Sequence, residues 1–76
     1  MATNDTIKLI ATTLRDERRR RNLTQEQFAD LLGVTRAYLG ELESGKGTTH
    51  LIRLVRALNA VGVDLVPVRR HDSNQP

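Results

Sequence analysis

A chain of 76 residues without cysteine has room for one domain and buries only about 60% of the surface its unfolded form exposes. Disulfides and thiolate metal sites are excluded as staples, so association with a second copy is the economical extra source of stability. The formal net charge of +3 permits a nucleic-acid partner without demanding one. Met1 to Asp5 carry no basic leader and no apolar run reaches membrane-spanning length, so a soluble cytoplasmic protein is expected.

Ile7, Ile10, Ala11 and Leu14 recur at helical spacing and predict a first helix over about residues 5–21, with Asn4, Asp5 or Thr6 as its cap. Its end carries Arg15 and Arg18 to Arg21. Asp16 and Glu17 stand four residues before Arg20 and Arg21, the favourable order for helix ion pairs. Arginine also suits the negative end of the helix dipole. The cluster therefore reads as a solvated helix end, with some arginines within reach of a phosphate.

Asn22 suits the left-handed backbone at a helix end. Thr24-Gln25-Glu26-Gln27 matches a capping box in which Thr24 caps a second helix and Gln27 reaches back. Phe28, Ala29, Leu31 and Leu32 give that helix an apolar side, and Gly33 stops it. Thr35 caps a third helix from Arg36 to about Ser44, with Leu39 and Leu42 inward. Gly45-Lys46-Gly47 reads as a flexible loop. Thr48 or Thr49 caps a fourth helix, in which Leu51, Leu54, Val55 and Leu58 form the apolar repeat while Arg53 and Arg56 face out. Asn59, Ala60 and Gly62 close it.

Val63 to Val68 looks like a β-strand, with Val63, Leu65 and Pro67 on one face and Asp64, Val66 and Val68 on the other. Pro67 has no N–H to donate, so that end lies at an edge or beyond the pairing. The chain offers no second strand. The segment is therefore expected to pair with its own copy across a twofold axis, using Val63, Leu65, Val66 and Val68, and to rest on the helices. An extended segment packed on its own core, or a strand added to a partner's sheet, are the alternatives. His71 to Pro76 are expected to be a disordered tail.

Two short helices joined by a three-residue turn have the geometry of a helix-turn-helix. Ala29 sits where the second helix crosses the first, and Gly33 takes the positive φ of the turn. Phe28, Leu32, Val34, Leu39 and Leu42 are expected to fill the space between these helices and the rest of the core. The run from Gln25 to Glu43, with Leu23-Thr24 before it and Ser44-Gly45-Lys46 after, resembles the Cro/C1-type (phage-repressor, XRE-like) helix-turn-helix family. The resemblance covers about Ile10 to Leu58.

That resemblance implies an all-α domain over residues 1–70, with four to five compact helices and the one short C-terminal strand. It also implies double-stranded DNA as partner, with the third helix in the major groove. Thr35, Arg36, Ala37, Tyr38 and Glu41 would then face base edges. Arg36 is the best reader, since a guanidinium bonds guanine O6 and N7 together. Ala37 or Tyr38 can touch a thymine methyl, or the tyrosine hydroxyl a phosphate. Glu41 can accept from a cytosine amine or simply be solvated. Gly40 keeps the helix face thin. Gln25 matches the family position that bonds the DNA backbone, and Thr24, Thr35, Lys46, Thr48 and more weakly Thr49 are further phosphate candidates.

Leu54 to Ala60 followed by Gly62 to Val66 resembles the HipB-type antitoxins. This second resemblance implies C-terminal strands shared between two subunits, repression of the protein's own operon through a palindromic operator, and a HipA-type serine/threonine kinase toxin as partner. A stand-alone phage or plasmid repressor is the nearest alternative. A protein-interaction module with little DNA binding is the other. Catalysis is not expected: His50, His71, Ser44 and Ser73 form no nucleophile–base constellation, Glu41 and Glu43 face different ways, and neither a metal-ligand cluster nor a cofactor loop is present.

Overall fold

The computed structural model describes residues 1–70 and contains four helices: α1 (Thr3–Arg20), α2 (Gln25–Leu32), α3 (Arg36–Glu43) and α4 (Thr49–Ala60). The order matches the expected one. The tail expected to be disordered, residues 71–76, lies outside the described residues. No helix among the described residues is long and apolar enough to cross a membrane.

Helix α1 starts earlier than its apolar spacing suggests. Ala2 is the cap and offers no side-chain hydrogen bond, so Asn4, Asp5 and Thr6 do not cap it. The reason is packing: Thr6 and Ile7 are buried, and the Thr6 N–H already bonds the Ala2 carbonyl at 3.1 Å. Asp5 falls in the first turn, where its charge complements the dipole.

Three helices stop in the same way. Leu23 N–H bonds Arg18 O and Asn22 N–H bonds Arg19 O. Val34 bonds Ala29 and Gly33 bonds Asp30; Val63 bonds Leu58 and Gly62 bonds Asn59. Each pair is a Schellman closure around one left-handed residue, namely Asn22, Gly33 and Gly62, with φ of 55°, 75° and 77°. In the first two the next apolar residue, Leu23 or Val34, tucks against the core cluster of Phe28, Ala29 and Leu39. Val63, its counterpart after α4, remains exposed.

The capping box of α2 forms as read. Thr24 Oγ1 accepts the Gln27 N–H at 3.1 Å, and the Thr24 N–H donates to Gln27 Oε1 at 2.9 Å. Thr24→Ala is expected to cost about 1 kcal/mol, read as a lower midpoint of urea unfolding with an unchanged slope.

Helices α3 and α4 both pack on α1, and α2 packs on α3. The core consists of Ile7, Ala11, Phe28, Ala29, Leu39 and Val55. Leu31 and Leu32, expected on the buried side of α2, are 62% and 43% exposed. An eight-residue helix covered mainly by α3 cannot bury so wide an apolar arc, and Leu32 is not part of the core. Leu54 also lies outside the core, at 45% exposure. Val55 centres the contact of α4, and Leu54 is displaced from it by about 100° around the helix; Ile52 and Asn59 are half-buried instead.

The loop between α3 and α4 is tighter than a flexible linker. Gly47 has φ +75°, and a Cβ there would stand 3.0 Å from Ile7 Cγ2. Conformation and space both require glycine at this point.

Residues 63–68 form no strand, and no strand exists among the described residues. A ladder needs a second strand, which one copy of the chain does not supply. The segment instead runs alongside α1: the Met1 ammonium pairs with Asp64 Oδ1 at 2.9 Å, and Arg69 Nε stands 3.9 Å from Glu17 Oε1. Leu65 and Pro67 are half-buried while Val66 and Val68 are exposed, which preserves the alternation read from the sequence. Val63 departs from it. Glu17 also pairs with Arg20 and Arg21. The Arg21 hydrogen bond, joined by the charge and hydrogen bond of Arg20 and the charge of Arg69, holds its carboxyl below the ordinary range and outweighs the desolvation that opposes it.

Candidate nucleic-acid interface

Helix α3 is fixed at three points, with Leu42 half-buried as well and its first turns open. At its start Thr35 Oγ1 accepts the Tyr38 N–H at 3.0 Å. In its middle Leu39 is wholly buried. At its end Glu43 is only 3% exposed, and a carboxylate that deep requires a cation. Arg18 supplies it, with Nε 3.2 Å and 3.0 Å from the two carboxylate oxygens, while its Nη1 donates to Leu23 O. Arg15 Nη1 donates to the Glu43 carbonyl at 2.6 Å. Two arginines of α1 thus hold the last turn of α3. The reading of this cluster as a solvated helix end fails for Arg18, because the fold buries the one acid that can face it.

Glu43 was legible as a partner in principle. It stands four residues after Leu39, on the same side of the helix, and an acid in phase with a core leucine calls for a buried cation. The matching arginine, 25 residues earlier, leaves no local signal.

With Leu39 inward, Arg36, Ala37, Tyr38 and Glu41 are exposed, and so is Thr35. All five candidate base readers therefore belong to one accessible region around the first turns of α3. Gly40 adds a second observation. It lies inside an eight-residue helix, where glycine costs about 1 kcal/mol relative to alanine, yet a Cβ there would meet nothing within 4 Å. Packing within the chain does not ask for glycine here. Gly40→Ala should raise the thermal midpoint by several degrees, given roughly 4–8 °C per kcal/mol for a domain of this size.

The candidate phosphate contacts divide. Thr24 is exposed, and because its oxygen accepts from Gln27 its proton stays free to donate. Gln25 is half-buried and turned to Glu43, its Nε2 being 3.3 Å from Oε1. Lys46 is exposed in a loop ordered by its own N–H bonding Ser44 Oγ and by Ser44 Oγ donating to Glu41 O. Thr48 caps α4 through the Leu51 N–H and is half-buried, whereas Thr49 is exposed. Val63, Leu65, Val66 and Val68 lie in the segment beside α1. No group of three or more histidine, cysteine, aspartate or glutamate side chains is placed to hold a metal ion among the described residues.

An exposed, rigidly held helix turn carrying a guanidinium suits the recognition of a grooved, anionic surface. Comparison with known families gives one match: a family model described as helix-turn-helix covers residues 14–68, well over half of the chain. No curated protein and no solved structure matches.

Proposed function

The chain belongs to this helix-turn-helix family, of the Cro/C1 (XRE-like) type, and is a DNA-binding transcription regulator; from that premise we propose that it is a homodimeric, sequence-specific repressor. Residues 1–70 act as one DNA-binding unit, and each copy sets α3 in the major groove of one half of a palindromic operator. Arg36 reads guanine, Ala37, Tyr38 and Glu41 contact neighbouring base edges, and Thr24, Gln25, Thr35, Lys46 and Thr48 position the phosphates. The observation that carries this reading is the first turn of α3, exposed beside an interior glycine that packing does not need. Half-sites should lie about 34 Å apart along the duplex. The test is selection of a preferred duplex from a random library by the purified protein. Enrichment of an inverted repeat with that spacing supports the reading, and recovery of unrelated sequences refutes it.

Dimerisation through residues 63–68 is supported by the exposure of Val66 and Val68 on the face opposite half-buried Leu65 and Pro67, and by the exposure of Val63 at the start of the segment. Two such segments pairing across a twofold axis would cover those side chains and complete the ladder each lacks alone. Removing residues from Val63 onward should give a monomer in sedimentation that binds the selected duplex weakly; a truncated protein that still sediments as a dimer places the interface elsewhere.

The same segment, following α4 directly, resembles the HipB-type antitoxins, which supports a further role in neutralising a HipA-type kinase toxin. Co-purification of a stoichiometric kinase with the native protein tests that role, and its absence leaves a stand-alone repressor.

A further inference from the structure

On the side of α1 that faces the α3–α4 loop is an open cleft of about 410 Å³, lined among others by Lys8, Thr12, Arg15, Ser44 and Lys46. Lys8, Thr12 and Arg15 fall at positions i, i+4 and i+7, one face of the helix. No carboxylate lines the cleft. Arg15 is held in place by the Glu43 carbonyl and by Thr12 Oγ1, 3.3 Å from its Nη2. The Ser44 hydroxyl is occupied by Glu41 O and by the Lys46 N–H. What the side chains offer the cleft is therefore donors: two exposed ammonium groups, the remaining guanidinium N–H groups and the Thr12 proton. Three positive charges with no carboxylate among them suit a group made only of acceptors, such as a phosphate.

The geometry points to this cleft as a phosphate site that grips the DNA backbone beyond the bases read by α3. The inference rests on the DNA-binding reading and extends it from the helix-turn-helix onto α1. The loop carrying Ser44 and Lys46 leaves directly from the end of α3, which sets the cleft next to the helix proposed to lie in the groove. Lys8 then becomes a DNA contact that lies outside the helix-turn-helix.

The test uses the full chain, a duplex selected by the wild-type protein, and the variant K8Q/K46Q, in which both substituted side chains are exposed. R53Q/R56Q, on exposed positions of α4, lowers the net charge equally and controls for the overall field. K8Q/K46Q should melt as the wild type does and bind on the order of tenfold more weakly near 0.1 M salt. The slope of log affinity against log salt should fall by about 1 for each phosphate lost. Ethylation of individual phosphates should reveal one position per half-site that interferes with the wild type and no longer with the variant, while R53Q/R56Q keeps it.

Unchanged affinity in K8Q/K46Q, with the wild type binding well, overturns the cleft together with the phosphate contact of Lys46 and leaves the reading by α3 intact. A loss in K46Q alone as large as in the double variant overturns the cleft and keeps Lys46. An equal loss in R53Q/R56Q without a vanished ethylation position shows only bulk charge and also overturns it. A wild type that selects no duplex removes both. Inorganic pyrophosphate is the last arm, titrated at constant ionic strength and followed by the Gly45 and Lys46 amide signals. Saturation that K8Q/K46Q abolishes, with no change in DNA affinity, assigns the cleft to a soluble phosphate and overturns the backbone site.

Discussion

Glu43→Ala should leave this protein largely unfolded at 37 °C. The substitution removes the acceptor of Arg18, which is itself mostly buried at 17% exposure, and the acceptor of the Gln25 amide. Stripping one partner from a buried ion pair costs roughly 3–5 kcal/mol, because the other charge stays in a low-dielectric site without compensation. A chain of this size has a total stability near 0.05–0.15 kcal/mol per residue, or about 4–11 kcal/mol, so the loss consumes much of it. The same physics predicts rescue. Glu43→Leu combined with Arg18→Met removes both charges, restores apolar packing and should recover most of the thermal midpoint. A Glu43→Ala protein that melts within a few degrees of the wild type would show that water reaches the pair and that Leu39 and the Arg15 bond to the carbonyl of residue 43 suffice to hold α3.

Arg36→Ala should act on the opposite side of the ledger, leaving the melting temperature in place while binding fails. Arg36 is exposed, so its removal leaves no buried group unsatisfied. On the proposed operator its loss should cost roughly 1–3 kcal/mol, about fivefold to 150-fold in affinity, and relax the preference at one base pair. Arg36→Lys sharpens the result. Lysine keeps the charge but not the two-pronged donor geometry; it should restore phosphate-like, sequence-blind affinity and leave the base preference relaxed. If alanine and wild type select the same sequence with the same strength, the reader lies elsewhere on α3.

Much of this architecture is written locally. Thr24 with Gln27, Thr35, Thr48, Asn22, Gly33 and Gly62 each mark a helix boundary through bonds to residues only a few positions away, and such signals can be read one window at a time. Two kinds of feature were not legible. Which apolar residues remain exposed depends on what lies opposite them: Leu31, Leu32 and Leu54 repeat at the same spacing as buried neighbours, and only the limited cover over α2 and α4 separates them. The Arg18–Glu43 pair joins positions whose closeness is a product of the fold. At the site, exposure of Arg36, Tyr38 and Glu41 followed from placing Leu39 inward, whereas the turning of Gln25 toward Glu43 depended on a burial that the helix pattern left unassigned. The C-terminal segment kept its alternation without its strand, since alternation belongs to one chain and a ladder to two.

Gly47 has a consequence for how such a protein measures distance. Its left-handed backbone and the 3.0 Å separation its missing Cβ would have from Ile7 seat the α3–α4 loop against α1, which also carries α4 and the segment beyond it. The reading helix and residues 63–68 thus share α1 as their support. In a dimer joined through those residues, the separation of the two reading helices would be set by the protein and would not adjust to the duplex. An operator with one base pair inserted at its centre would move one half-site by about 3.4 Å and roughly a tenth of a helical turn. The protein would have to twist the DNA, bend it or let go of one half.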